Sequence, residues 1–441
     1  MAETLFPIPE GMASAREAPE VVGAPRLVRP NREQVELRAV DLEGLLPADH
    51  PARAVWEFVE SLDLRALYAQ VQAVEGRAGR PATDPRIYLA LWLYATVEGV
   101  GSARAIARQT QVHDAYRWIC GGVSVNHHSL SDFRVEQVEF LDQVLTQSVA
   151  VLMSQGLVKL QRVSQDGMRV RASAGAASFR RKPKLRQCLK QAREQVERLR
   201  QELEEDPEAT NRRQVAARQR AAEDRQRRVA EALEQMAEVE AKKKPAEREA
   251  ARVSTTDPEA RVMKMADGGF RPAYNTQFAV DTETQIVVGV DLDNRGTDQG
   301  QLVPMLEQLE ARYGQRPSQT LVDGGFVALD QIEKAAAEGT TVYAPVAKPR
   351  DTHRDPYTPL PSDTPAVAQW RERMGTEEAK QVYKLRAATC ECVNAISRNR
   401  GLQQFRVRGR QKVRAVALWF AIAHNMMRSR SLVAAVAPAA A

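Results

Sequence analysis

The hydrophobic pattern of this chain changes its period near Gly156, and that change limits the possible folds more than any other feature. From Leu37 to about Gln155, apolar residues recur at the three-and-four spacing of amphipathic helices. After Gly156, short apolar runs typical of strands alternate with helical segments. We therefore predict an all-α N-terminal domain followed by an α/β domain with a mixed sheet.

The N-terminal region carries clear helix-start signals. Asp84 followed by Pro85 places a capping side chain before a proline at the first helical position. Two short helices around a turn are predicted over SARAIARQTQVHDAYRWICGG, which gives the region a helix-turn-helix character. One long helix, capped near Ser129 or Ser131, is predicted to follow and to end near Gln155.

The region after Gly156 contains the predicted sheet. Strands are predicted in VKLQRVSQDGMRV, in the two halves of YNTQFAVDTETQIVVGVDLDN, in SQTLVDGG and in TTVYAPV. Helices are predicted in QLVPMLEQLEARYG and LDQIEKAAAEG, between the later strands. The segment KVRAVALWFAIAHNMMR is predicted to be an amphipathic helix that packs on the sheet.

A charged segment interrupts the sheet pattern from about Lys184 to Lys243. Its apolar residues first alternate steps of four and three and then recur every seven residues, with Asp206-Pro207 between the two runs. This pattern predicts two helices in an antiparallel, coiled-coil-like hairpin, inserted over residues 180–250. A charged linker of low order is the alternative.

Composition favours a nucleic-acid partner. The net charge is +6 and the isoelectric point is near 9.1, and clustered basic residues gain free energy by releasing the counterions of a polyanion. The four cysteines form no disulfide framework. The longest apolar run, Val416 to Ala423, is too short to span a bilayer, and no signal peptide is recognised. We predict a cytoplasmic, nucleoid-associated protein without a membrane partner.

These patterns predict five segments. They are a flexible arm (1–36), a helical domain (37–156), an α/β domain (157–430), the helical insert within that domain (180–250) and a disordered tail (431–441).

Carboxylates at predicted strand ends are the first candidates for a catalytic site. Asp166 precedes a glycine, and Asp323 follows a buried strand and precedes Gly324-Gly325. Ligands gather at strand ends in α/β sheets, and carboxylates placed there can hold a pair of Mg²⁺ ions. A simple turn is the alternative for each site. The residues alone leave other acids open, namely Asp267, Asp281, Asp291, Asp293 and Asp298.

The segment from Tyr383 to Arg398 contains Cys390-Glu391-Cys392 and is predicted to be a helix. Helical spacing places Cys392 in a buried stripe with Thr389 and puts Cys390 on another face, so the two thiols cannot share one metal. Glu391 lies on a third face between basic residues. A solvated, salt-bridged face is the alternative for that arrangement.

The segment also resembles a known family signature. Tyr383, Arg386, Glu391 and Arg398 resemble the Tyr-Arg-Glu-Lys signature of insertion-sequence transposases of the DDE superfamily, with arginine replacing the final lysine. The resemblance extends to Asp166-Gly167, TDPEARVMK, AYNTQFAVD, Asp323-Gly-Gly-Phe and NHHSLSDFR, and it covers roughly residues 37–428.

The resemblance implies a ribonuclease H-like catalytic fold with Asp166, Asp323 and Glu391 as the catalytic and metal-binding triad. The implied cofactor is a pair of Mg²⁺ ions, with Mn²⁺ as the alternative metal. The implied activity is DNA strand cleavage at the ends of an insertion sequence, followed by transfer of the freed 3′ hydroxyl to target DNA. The resemblance also implies that the helical domain (37–156) binds DNA and that the α/β domain (157–430) is catalytic.

The implied partners are double-stranded DNA, as terminal inverted repeats and as target, and a second protomer in a homodimer on DNA. Tyr383, Arg386 and Arg398 would contact phosphates near the cleaved strand. The basic segment RNRGLQQFRVRGRQKVR is expected to add phosphate contacts. Its candidate residues are Arg400, Arg406, Arg408 and Arg410.

Two other functions stay open at this point. A catalytically inactive DNA-binding protein derived from a transposase would keep the fold without the chemistry. A scaffold would use the helical hairpin to recruit partners, and its basic residues would be incidental.

Overall fold

The computed structural model describes residues 41–74, 76, 81–205, 212–349, 351 and 353–436. The predicted flexible arm, residues 1–36, lies outside this range. The described residues from Leu42 onward form one compact unit.

The N-terminal segment is helical, as its spacing predicts. After a 3₁₀ turn at Glu43–Leu45, its α-helices are α1 (Pro51–Glu60), α2 (Arg65–Tyr68), α3 (Pro85–Val97), α4 (Ala103–Val112), α5 (Asp114–Cys120), α6 (His127–Glu136) and α7 (Val138–Ser154). The predicted cap of α3 is confirmed, because the Asp84 side chain accepts a hydrogen bond from the Arg86 amide and Pro85 opens the helix.

The prediction of one long helix to Gln155 is wrong, because the helix breaks at Gln137. The backbone of Gln137 leaves the helical region (φ −102°, ψ 35°), and its side-chain amide pairs with Gln70 at 3.0 Å. The cap also differs from the prediction, since Asn126 caps α6. The contact with Gln70, which lies outside the predicted helix, thus accompanies a break between two helices where the apolar spacing in the sequence is continuous.

A six-stranded mixed sheet occupies the centre of the α/β segment, and it confirms the predicted α/β class. In chain order the strands are β1 (Arg162–Arg171), β2 (Phe179–Arg180), β3 (Val253–Ser254), β4 (Arg261–Lys264), β5 (Phe270–Asp281), β6 (Val287–Asp293), β7 (Gln319–Leu321) and β8 (Thr341–Tyr343). The order in the sheet is β4-β5-β1-β7-β8, and β6 also pairs with β5. β5 is antiparallel to β1, β4 and β6, whereas β7 is parallel to β1 and β8. β2 and β3 form a separate two-stranded ribbon.

The charged insert forms two long helices, α8 (Lys182–Glu205) and α9 (Arg212–Ala241). They run antiparallel, because Lys182 pairs with Glu240 and Gln195 with Arg225. Seven apolar residues at the predicted spacing are buried, namely Leu185, Ala192, Leu199, Val215, Ala222, Val229 and Met236, and Ala232 is buried beside them. Whether the pair supercoils as a coiled coil stays a prediction.

The remaining helices cover the sheet and lead to the C-terminus. They are α10 (Leu302–Tyr313), α11 (Leu329–Ala337), α12 (Pro365–Gly375), α13 (Glu377–Arg386), α14 (Cys392–Asn399) and α15 (Arg410–Val436), with 3₁₀ turns at Ala176–Ser178, Pro245–Ala250 and Gly324–Phe326. A π-helical turn, Ala387–Glu391, joins α13 to α14. Within the described part of the chain, no helix combines the length and the apolarity needed to cross a bilayer.

Helix α15 joins the sheet to the helical bundle. The Asn425 side chain bonds both the amide and the carbonyl of Val287 in β6, at 2.8 and 2.7 Å, which confirms the predicted packing on the sheet. On the same helix, Trp419 packs against Trp92 of α3, and one continuous core includes both segments. α15 extends to Val436, so residues 431–436 of the predicted disordered tail are helical, and residues 437–441 lie outside the described range.

Candidate active site

Three of the predicted acids converge on one cation, the Arg386 guanidinium. Its Nη2 lies 2.9 Å from Asp166 Oδ1 and 3.9 Å from Asp323 Oδ2, and its Nη1 lies 2.5 Å from Glu391 Oε1. These acids are far apart in the sequence. Asp166 lies in β1, Asp323 lies two residues after the end of β7, and Glu391 lies in the π-helical turn. The fold therefore brings the whole predicted triad together.

The parallel pairing of β1 and β7 places the two aspartates side by side. Ser164 is opposite Leu321 in the register, so Asp166 and Asp323 each lie two residues further along. Asp323 follows the end of its strand and accepts a hydrogen bond from the Gly325 amide at 2.8 Å. The side chain is thus held at the carboxyl end of the strand, where α/β sheets bind ligands.

The π-helical turn brings Glu391 into the cluster. Four residues separate it from Arg386, a spacing that does not stack side chains on an α-helix. A π turn bonds residues five apart, and in the structure these two side chains are in direct contact. The extra width of the turn therefore aims Glu391 at the same cation as the aspartates.

The same turn overturns the prediction for the two cysteines. Cys390 is fully buried and accepts a hydrogen bond from Ser164 Oγ at 2.8 Å, whereas Cys392 is partly exposed. The prediction that Cys392 is the core residue is wrong, because the π turn shifts the helical phase that the prediction assumed to be regular. Burial raises the pKa of the Cys390 thiol to about 12, so this sulfur is a packing group.

Replacing the thiols is expected to leave DNA cleavage intact. Cys390→Ser and Cys392→Ala should each cleave within about threefold of the parent, because Cys390 bonds to Ser164 and not to an acid of the cluster, and serine keeps a polar partner for Ser164. Cleavage rates of the purified variants check this. A loss as large as that caused by removing a triad acid would assign the sulfur a role in the site.

Asp166 is the least exposed of the three acids, with 17% of its side chain accessible. Burial raises its pKa, and the charges of Asp323 and Asp298 raise it further, while Arg386 and a hydrogen bond from Asn394 lower it. Asn394 Nδ2 donates to Asp166 Oδ2 at 2.9 Å, and Asn394 Oδ1 is buried without a partner among the described groups. Burial lowers the pKa of Arg386, but the facing carboxylates outweigh it and the net pKa is raised.

Asp298 is a fourth acid at the site, which the sequence left open among several. Its Oδ1 accepts hydrogen bonds from Asn275 Nδ2 and Gln277 Nε2, both at 2.7 Å. It approaches β1 at Gly167, where any side chain would overlap with Asp298 and its amide partners. The feature of the sequence that could have pointed to this site is the polar run Asn275-Thr276-Gln277, which is buried inside an otherwise apolar strand.

The other acids considered from the sequence make different contacts. Asp267, in the first Asp-Gly-Gly-Phe copy, is exposed at the β4–β5 turn and pairs with Arg271. Asp281 accepts bonds from Thr284 within the β5–β6 turn, and Asp293 binds the Asn294 amide. Asp291 in β6 lies opposite Gln277 of β5 in the strand register.

Three of the predicted DNA-contacting residues lie at the acid cluster. Arg386 is inside it, and Tyr383 is half-buried beside it, with its pKa raised by burial. Arg398 is exposed and lines an adjacent cleft of about 490 Å³ together with Asp298 and Asp323. Sequence reasoning did not assign three further arginines that line this cleft, namely Arg169, Arg171 and Arg271.

The other four arginines lie elsewhere. Arg400 and Arg406 line a separate small cavity at the helical bundle. Arg408 lines a cleft of about 800 Å³ bordered by α6 and α9, and its Nε donates to the Ser173 carbonyl at 3.3 Å. Arg410 Nη2 donates to a carbonyl of β6. The predicted DNA-contacting residues therefore do not form one patch.

The donor types at the cluster suit a divalent metal, although the cation there is a guanidinium. Carboxylate and amide oxygens are the ligands that Mg²⁺ prefers, and the cluster has three carboxylates and the unpartnered Asn394 Oδ1. Among the described residues, no group of three His, Cys, Asp or Glu side chains is arranged to hold a metal ion.

Two family models match the chain, and both describe transposase domains. The "Transposase domain (DUF772)" matches residues 40–136, which contain helices α1–α6. The "Transposase DDE domain" matches residues 250–426, which contain Asp323, Arg386 and Glu391. Asp166 lies between the two matched ranges. The chain has no significant match among the curated proteins or the solved structures.

The two matches define both the class of protein and the family to which the chain belongs. Both matched segments are transposase domains, so the chain is an enzyme of DNA transposition that acts on DNA. It belongs to the DDE-superfamily transposases of insertion sequences. The family inferred from the Tyr383, Arg386, Glu391 and Arg398 signature is thereby confirmed.

Proposed function

We propose that the chain cleaves DNA at the ends of an insertion sequence and joins the freed strands to target DNA, with Asp166, Asp323 and Glu391 as its catalytic acids. The observation that supports this assignment is the convergence of the three carboxylates on Arg386. Carboxylates gather around a cation in this way where negative charge must be compensated, as it must in a metal-dependent nuclease.

Asp166, Asp323 and Glu391 would hold the divalent metal, which is a pair of Mg²⁺ ions with Mn²⁺ as the alternative. When bound, such ions activate a water and stabilise the leaving oxygen of the phosphodiester. Arg386 would then release the acids and turn toward a DNA phosphate, where Tyr383 and Arg398 provide neighbouring contacts. Arginine suits both partners, because its fork of donors matches carboxylates and phosphates alike.

We also infer a ribonuclease H-like sheet. Supporting this, β1 lies between antiparallel β5 and parallel β7, and β8 continues in parallel beyond β7. In this arrangement α8 and α9 are an insert after the first strand, and we propose that they pair as a coiled-coil hairpin. Since two transposon ends are cut together, we further propose that the protein acts as a homodimer on its terminal repeats.

A strand-cleavage assay tests the proposed activity. The substrate is duplex DNA that carries the terminal sequence of the element, incubated with the full chain and Mg²⁺ or Mn²⁺. We expect nicked products with a free 3′ hydroxyl at the element end, their joining to an added target duplex, and loss of both in excess chelator. Stable DNA binding without any cleavage in either metal would instead identify an inactive DNA-binding derivative.

Asp298→Asn is expected to weaken metal affinity without preventing folding. The substitution removes a negative charge near Asp166 that would attract a bound cation, and it disturbs the acceptor shared by Asn275 and Gln277. Loss of such an outer-shell partner typically reduces metal affinity or activity about 10- to 100-fold. The Mg²⁺ concentration that gives half-maximal cleavage should therefore rise within that range.

The matched control for Asp298 is Asp330→Asn, which removes an exposed acid of α11 paired with Lys334. It should leave the Mg²⁺ dependence unchanged. Equal effects of the two substitutions would contradict the assignment of Asp298.

A further inference from the structure

Arg134, in α6, is a buried cation that has no acidic partner among the described residues. Its side chain lies over the Trp92 ring at 4.7 Å, and its Nη1 donates to the Gly101 carbonyl at 3.0 Å. Only 8% of the residue is exposed, and its Nε is buried without a hydrogen-bond partner among the described groups. A buried charge is costly unless it is paired. The Nε–H group of Arg134 is therefore a donor without an acceptor at a buried position, where an unpaired donor costs free energy.

Two further arginines line the same cavity, which has a volume of about 80 Å³. Arg400 is half-buried, and Arg406 reaches the wall opened by Gly101, where an added Cβ would lie 3.7 Å from its Nε. No acidic residue lines the cavity, and within the described chain none of the three arginines forms an ion pair. The acid whose charge acts on Arg400 is Glu98. The lining of the cavity thus includes three positive charges and, among the described residues, no carboxylate.

The charge of its lining suits the cavity to an anion. Burial and the charge of Arg406 lower the pKa of Arg134 to about 10, which still leaves it protonated at neutral pH. Trp92, Trp419 and Phe420 also line the cavity, and apolar surroundings strengthen the interaction of an arginine with an anion. Arginine donors in such a setting match the oxygens of a tetrahedral oxyanion.

We propose that Arg134, Arg400 and Arg406 form a binding site for one phosphate group, separate from the acid cluster. The phosphate is either a backbone phosphate of DNA or a free phosphate ion. The first of these two sources rests on the proposed function. The positions of two of these arginines relative to the neighbouring clefts favour DNA as the source of the phosphate. Arg400 follows Arg398 of the cleft beside the acids by two residues, and Arg406 also lines the larger cleft that contains Arg408. A strand that passed between the two clefts would run along this cavity.

Inorganic phosphate and a short random-sequence duplex are the two probes. Titration calorimetry of the full chain with phosphate, at constant ionic strength, should show one saturable site. Arg406→Gln, which changes an exposed side chain, should weaken that binding at least about tenfold, and Arg134→Gln should do the same. For the duplex, each substitution should reduce the slope of log affinity against log salt by about 0.9, the amount expected for one lost phosphate contact.

Arg373→Gln is the matched control. Arg373 is also partly buried, donates to the Val342 carbonyl at 3.1 Å, lies over the Tyr343 ring and has an unpartnered Nε, but it does not line this cavity. Its replacement should change neither phosphate binding nor the salt slope. This comparison separates loss of the site from the general effect of removing a half-buried arginine.

The outcomes separate the two sources of phosphate. Phosphate binding that disappears when the duplex is bound, or a reduced salt slope, identifies a DNA phosphate; phosphate binding that persists beside bound duplex identifies the free ion. The proposal is overturned if phosphate shows no saturable binding and Arg406→Gln leaves the duplex affinity and slope unchanged. Asp323→Asn should retain phosphate binding while losing cleavage, so failure of the catalytic proposal is distinguishable from failure of this one.

Discussion

Asp323→Asn and Glu391→Gln are each expected to reduce Mg²⁺-dependent DNA cleavage by at least about 100-fold. Loss of an outer-shell partner alone typically costs about 10- to 100-fold, and removal of a ligand should cost more. Both side chains are partly exposed, at 39% and 49%, so the neutral amides should be tolerated by the fold. The cleavage rate under single-turnover conditions measures the effect, and DNA binding measured in parallel should be retained.

Two exposed acids provide matched controls for these substitutions. Asp330→Asn changes an acid of α11 that pairs with Lys334, and Glu378→Gln changes an acid in the first turn of α13. Both should cleave at the rate of the parent. Unimpaired cleavage by Asp323→Asn or Glu391→Gln would refute the triad.

Asp166→Asn is a less informative test of the same triad. Asp166 is the closest carboxylate to Arg386 Nη2, and the arginine side chain is only 12% exposed. Removing the acid leaves a buried guanidinium with less compensation, which by itself destabilises the fold. A loss of cleavage in that variant would therefore combine a catalytic effect with a structural one.

Trp419→Ala is expected to lower the free energy of unfolding by about 3–5 kcal/mol, the range for truncating a large buried aromatic residue. The side chain is 1% exposed and packs between Trp92 and Phe133, with ring centroids at 6.4 and 6.3 Å. Its indole also donates to the Arg134 carbonyl at 3.0 Å, and the substitution leaves that acceptor unpaired. Urea denaturation followed by circular dichroism measures the change.

The control is Val433→Ala on the same helix, a residue that is 50% exposed. It should change the free energy of unfolding by no more than about 0.5 kcal/mol. Because one core includes both the helical bundle and the sheet, the Trp419 variant should shift a single transition. Two separated transitions would show that the bundle and the sheet unfold independently.

Local patterns predicted most of the elements correctly. The strands around Asp166, along YNTQFAVD and before Asp323 all form where the alternation of apolar residues places them. The cap at Asp84 and the two antiparallel helices of the insert follow from capping and from repeated apolar spacing. These features depend on neighbours within about one or two turns or strands, so a single sequence contains the necessary information.

The candidate site was less accessible to sequence reasoning. Physical patterns left seven aspartates as alternatives, and only the family resemblance selected Asp166 and Asp323 among them. The π turn at Ala387–Glu391 was not predicted, and its shift of the helical phase exchanged the surroundings of Cys390 and Cys392. Asp298 was one acid among several until the fold packed it against Gly167.

The sequence by itself determined the change from helical to α/β structure, the basic charge that suits DNA and the family to which the chain belongs. Only the tertiary structure decided that Arg386 contacts all three acids and that Arg134, Arg400 and Arg406 share one cavity. The reason is physical. Secondary structure arises from short-range hydrogen bonding and apolar periodicity, whereas these clusters depend on strand register, helix phase and the packing of residues that are hundreds of positions apart.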